Sequence, residues 1–96
     1  MSSYHYAAFY NRPGILLYCL NNGADVNMQG EQGHTCLHLA AKFNYPHLVR
    51  MLLDFGARTD ILTKSEQTPE HLAPTAELKA LIREASKNES QRAMKA

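Results

Sequence analysis

Gly33-His34-Thr35-Cys36-Leu37-His38-Leu39-Ala40-Ala41, continued by Leu48-Val49-Arg50-Met51-Leu52-Leu53 and closed by Gly56-Ala57, decides the architecture of this 96-residue chain. Thr35 offers a side-chain oxygen to the free N–H groups of a helix start, so a helix is expected through Leu37, Leu39, Ala40 and Phe43. Asn44 tolerates left-handed φ and turns the chain, and Pro46 opens a second helix at the first position, where its missing N–H costs nothing. Leu48, Val49, Leu52 and Leu53 then form one wide apolar stripe. Gly56 suits the left-handed residue that ends such a helix, and Ala57 to Glu66 lacks helical periodicity and reads as an extended finger.

Working outward, a shift of 33 residues superimposes His5 on His38, Ala7 on Ala40, Ala8 on Ala41, Asn11 on Asn44, Pro13 on Pro46, Leu20 on Leu53, Gly23 on Gly56 and Ala24 on Ala57. The same shift carries Thr35 to Thr68, His38 to His71, Leu39 to Leu72 and Ala40 to Ala73. A fixed period of this length marks a stack of hairpin units that bury apolar surface only against their neighbours. Pro74 stands where the second alanine would fall, and proline inside a helix removes a hydrogen bond and clashes one turn back. The third first-helix is therefore expected to stop near Ala73. Its second helix can seat either Leu81-Ile82 or, after a slip of three residues, Leu78 on the core positions.

With its threonine cap, paired alanines and Gly-Ala finger entry, this unit resembles the ankyrin repeat, with Cys36 in place of the family's proline. The resemblance covers residues 2 to 86. It implies an all-α ankyrin-repeat solenoid of three helix-turn-helix units with extended fingers, the last unit shortened and followed by a polar capping helix. Repeats are expected at 2–29, 30–62 and 63–90 of a single domain spanning 1–90, with 91–96 a frayed tail. It further implies a binding module acting on another protein, such as a regulated enzyme, a transcription factor or a scaffold, in the role of adaptor or regulatory subunit. In that family partners lie in the concave groove between finger tips and first helices. The groove positions fall here on Phe9, Tyr10, Gln29, Glu31, Gln32, His34, Lys42, Phe43, Leu62, Lys64, Ser65 and Gln67.

The two ends of the stack differ in character. From Glu77 to Ala96 the sequence is densely charged, whereas from Met1 to Met28 only Arg12 and Asp25 carry formal charge among Tyr4, Tyr6, Phe9, Tyr10, Ile15, Leu16, Leu17, Tyr18 and Leu20. Arg50 is replaced by Leu17 one period earlier. An apolar amino-terminal face is expected, formed around Tyr4, Tyr6 and Leu17 and covered by a partner protein, by a second copy in a homo-oligomer, or by further sequence of a larger multidomain chain.

Composition removes other classes. Lys plus Arg is 10 against 9 for Asp plus Glu, a net charge of +1 that gives no footprint for a phosphate backbone, so nucleic acid is not an expected partner. The longest apolar run, Ile15 to Leu20, is far short of a membrane span, and no secretory signal pattern opens the chain. Cys19 and Cys36 read as reduced thiols, and a cytoplasmic or nuclear location is expected. His34, Cys36 and His38 lie at metal-ligand spacing but lack a fourth ligand, and the recurrence of His38 as His5 and His71 points to a structural part repeated with the unit. No metal, cofactor or catalytic residue is expected.

Overall fold

The computed structural model describes residues 2–95, with side chains through Lys87. Six α-helices follow one another: α1 (Ser3–Phe9), α2 (Pro13–Asn21), α3 (Cys36–Lys42), α4 (Pro46–Asp54), α5 (Pro69–Leu72) and α6 (Ala76–Lys95), with a 3-10 turn at Glu31–Gly33 and no strand among the described residues. They pair as α1 with α2, α3 with α4, and α5 with α6, and the middle pair is packed between the outer two.

Each first helix starts on the same device. Ser2, Thr35 and Thr68 accept the backbone N–H groups of His5, His38 and His71 through their side-chain oxygens. Each hairpin of the first two repeats then turns on an asparagine of left-handed φ, Asn11 at 55° and Asn44 at 60°, and re-enters a helix on Pro13 or Pro46. Gly56 (φ 87°) donates its N–H to Leu53 O at 3.0 Å and Ala57 donates to Leu52 O at 3.0 Å, the paired bonds that satisfy the last carbonyls of a helix. Gly23 and Ala24 repeat them on Leu20 and Cys19.

The buried stripe joins the three pairs into one core containing Leu16, Leu37, Leu48, Val49, Leu52 and Ile82, with Ala7, Ala8, Ala40 and Ala41 allowing close approach of the first helices. In the third repeat α5 ends at Leu72 with Ala73 extended, as Pro74 requires. Leu78 and Ile82 are buried and Leu81 is only half-buried, so the slipped register is adopted. Leu78, Leu81 and Ile82 thus correspond to Leu48, Met51 and Leu52 at a shift of 30. α6 runs from Ala76 to Lys95.

Two further expectations are corrected. Tyr4 is not on an open face: it is 3% exposed and its hydroxyl donates to Val26 O at 3.0 Å, as befits the position of buried Leu37 one period on. His71, expected as a structural part repeated from His38, is exposed where His38 is buried.

The fingers are tied across repeats. Gln29 Nε2 donates to Gly33 O and to Leu62 O, each at 3.0 Å, Lys64 N donates to Gln32 O at 2.9 Å, and Arg58 N donates to Asn27 Oδ1 at 2.8 Å. Gly33 (φ 77°) is required where the fingers meet, since a Cβ there would lie 3.0 Å from the Lys64 backbone nitrogen. A Gly33→Ala variant is expected to lose about 1–3 kcal/mol from forced left-handed backbone and displacement of the second finger. Chemical denaturation measures the loss, and wild-type stability would remove the finger contact from the account.

Candidate recognition surface

On the concave side, the first fingertip leans over the ends of α1 and α3 and leaves a recess of about 200 Å³. Phe9 supplies the wall from α1. Leu39 and Lys42 of α3 and Phe43 just past its end supply the facing wall, and Gly30, Glu31, Gln32 and His34 form the overhanging lip. Ser2 and His5 close the bottom. His5 Nε2 donates to Met28 O at 3.0 Å, because a carbonyl can only accept, and Ser2 Oγ lies 2.6 Å from its Nδ1. That pairing holds the imidazole ring upright under the lip. The lip can come so close only because residue 30 is glycine: a Cβ there would meet the His5 ring at 3.0 Å.

The aromatic residues form a continuous ridge beside the recess. Phe9 meets Phe43 edge to face at 4.9 Å and Tyr10 at 4.9 Å, Tyr10 meets Tyr6 at 4.5 Å, and Phe43 meets Tyr45 at 6.1 Å. Tyr10 and Phe43, equivalent by the repeat, are joined through Phe9 rather than stacked on each other. Phe43 remains 36% exposed despite these contacts, and the Lys42 ammonium stands 5.7 Å from the centre of its ring. Tyr45 reaches back to the first repeat, its hydroxyl donating to Phe9 O at 3.3 Å.

Of the expected groove residues, the recess gathers Phe9, Glu31, Gln32, His34, Lys42 and Phe43. Tyr6 and Tyr10 lie on the adjoining ridge. Lys64 and Gln67 belong to the second finger, where their backbones are engaged with Gln32 O and with Thr63 and His38. Leu17 is exposed on α2, and its counterpart Arg50 borders the cleft with Thr75, Leu78 and Leu81 of the third repeat. Ser2, His5, Gly30 and Leu39 were missed as recess residues; the close spacing of Gly30 and Gly33 around the lip was their only sequence signal.

The reactive groups nearby are committed. Cys36 is buried, its Sγ donates to Tyr4 O at 3.4 Å, and burial pushes its thiol up to about 12, so it holds its proton at neutral pH. His38 is wholly buried beneath His34, ring to ring at 5.8 Å, and both its nitrogens are bonded. Among the described residues no three His, Cys, Asp or Glu side chains group as metal ligands, and no helix is long and apolar enough to cross a membrane.

Three stacked hairpins, first helices capped by Ser2, Thr35 and Thr68, and fingers overhanging a concave wall define a repeat solenoid. The family described as ankyrin repeats (3 copies) matches residues 4–92, and the chain belongs to the ankyrin-repeat family. No curated protein matches the chain. Ankyrin repeats are generally protein–protein interaction modules and typically not enzymes.

Proposed function

We propose that the chain is a non-enzymatic binding module whose concave recess receives a polypeptide segment of a regulated enzyme, transcription factor or scaffold, so that it acts as an adaptor or regulatory subunit. The observation that carries this reading is the half-open aromatic wall of Phe9 and Phe43 beside Lys42 and the Glu31–His34 lip. Exposed aromatic rings fixed by neighbours lose little entropy on binding and are the residue types that dominate interface energies. The apolar amino-terminal face is a second contact surface. The two free thiols, one buried and one half-buried, favour a reducing compartment, the cytoplasm or nucleus.

The test is Phe43→Ala. Partner captured from the source cell and identified by mass is expected to bind the variant at least tenfold more weakly. Unfolding free energy is expected to fall by only about 1 kcal/mol, from the lost ring contacts. Unchanged affinity alongside a large loss of stability would make the aromatic ridge internal packing and refute the reading.

A further inference from the structure

We infer that the leading face of the first repeat, around Tyr6, Ile15 and Tyr18, is a twofold self-association surface that takes a second copy of this chain. This names the occupant of the second surface proposed above and rests on that reading.

The repeat supplies its own control. Leu39 and Leu48 of the second repeat are 9% and 0% exposed, and Leu39 joins the wall shared with His5 and Phe9 of the first repeat. One period earlier the same two positions are Tyr6 and Ile15, 46% and 44% exposed. Tyr18, at the position of half-buried Met51, is 69% exposed. The positions that serve for stacking have thus kept apolar side chains where no repeat precedes them in the structure. The opposite end is treated differently. Val49 is buried and Leu53 half-buried in the second repeat, but at the shift of 30 that relates α4 to α6 they become Lys79 and Arg83, both exposed, with Glu84 and Lys87 beside them. One end has been made polar and the other has not.

That asymmetry selects the occupant. A head-to-tail second copy would press the charged flank of α6 onto three uncharged apolar side chains and leave those charges without water or partners. Two leading faces placed against each other bring together mainly uncharged side chains, Arg12 being the single formally charged one before Asp25. A twofold pairing of this kind is closed: both apolar faces are covered, both charged ends point outward, and growth stops at two. Side chains of this size left half-open expose on the order of 100 Å² each, so Tyr6, Tyr10, Ile15 and Tyr18 with their rim bury roughly 1,000 Å² across the pair. That lies at the lower end of specific interfaces and fits a reversible dimer.

Sedimentation equilibrium of the whole chain, from about 1 µM to 1 mM, tests it. The expected result is a shift from monomer to twice that mass, with dissociation constants in the range of about 10–100 µM. Tyr18→Glu and Ile15→Glu are each expected to weaken pairing at least tenfold. Tyr18 is so open that its variant keeps the wild-type circular dichroism and melting at low concentration. Lys79→Glu is expected to leave pairing unchanged. A monomer at 1 mM, a dimer indifferent to both leading-face variants, or an open ladder of masses overturns the proposal. A monomer that still binds a hydrophobic dye, and loses it with Tyr18→Glu, keeps the leading face as a contact surface while removing the second copy as its occupant.

Discussion

Leu48→Ala is expected to cost about 3–4 kcal/mol, while Ile15→Ala, at the same place one repeat earlier, costs less than about 1 kcal/mol. Leu48 is wholly buried in the middle hairpin, so truncation removes apolar contact and leaves a cavity whose walls, the helices of adjacent repeats, cannot all move inward. Ile15 is 44% exposed, and its truncation opens no enclosed void. The middle position magnifies the loss. Stability in a solenoid is a sum over units and the interfaces between them, and damage to the central unit weakens both interfaces at once. Domains of this size have only about 5–15 kcal/mol in hand, and three repeats stand near the lower limit for such stacks. A melting temperature lower by about 15 °C is therefore expected for Leu48→Ala. Thermal and denaturant unfolding of the two variants at low micromolar concentration, below pairing, make the comparison. Equal losses would mean that the two positions share an environment and that the 33-residue equivalence does not carry burial.

How far the sequence discloses such differences depends on how local the determining contacts are. The Thr35 cap, the Asn44 turn, Pro46 and Gly56 each act within a few residues, and all four are found where their chemistry predicts. The third-repeat register was not decided by its own stripe, because Leu78, Leu81 and Ile82 satisfy two helical alignments. It is decided by Pro74, which shortens α5 and draws α6 three residues nearer. Tyr4 was misplaced because aromatic enrichment at one end was read as surface, although its repeat equivalent, Leu37, is a core residue. The lip and wall of the recess were largely legible, since family resemblance marks those positions. Its floor was not, for Ser2 and His5 come under Gly30 only through packing of α1 against a finger more than twenty residues on.

His38→Ala is expected to destabilise the chain by about 3 kcal/mol and to alter how stability responds to acid. The imidazole performs two tasks at once. Its Nδ1 accepts the Thr35 backbone N–H at 3.1 Å and lies 2.8 Å from Thr35 Oγ1, completing the reciprocal cap at the start of α3. Because Nδ1 accepts, Nε2 carries the proton, and it donates to Gln67 O at 3.0 Å, which pins the second finger to the middle hairpin. Alanine leaves the Gln67 carbonyl and the Thr35 N–H without these partners and opens a hole under His34; loss of a cap and of a buried bond together come to about 3 kcal/mol. Protonation would disturb the same site, since a second N–H at Nδ1 would point at a backbone donor. Burial first, then the neighbouring His34, holds the group below its ordinary value of 6.5, against the pull of the Gln67 carbonyl. The sign follows directly. Below pH 6.5 the unfolded chain takes up a proton that the folded chain refuses, so the contribution is complete above 6.5 and is lost as pH falls toward the folded value. The slope from this one group reaches at most about 1.4 kcal/mol per pH unit. Denaturant titrations of wild type and His38→Ala between about pH 7.5 and pH 5 measure the difference: the variant should be weaker at neutral pH and should lose less on acidification. If wild type and variant show the same acid slope, His38 takes its proton as readily folded as unfolded, and the buried cap is not what holds the second finger in place.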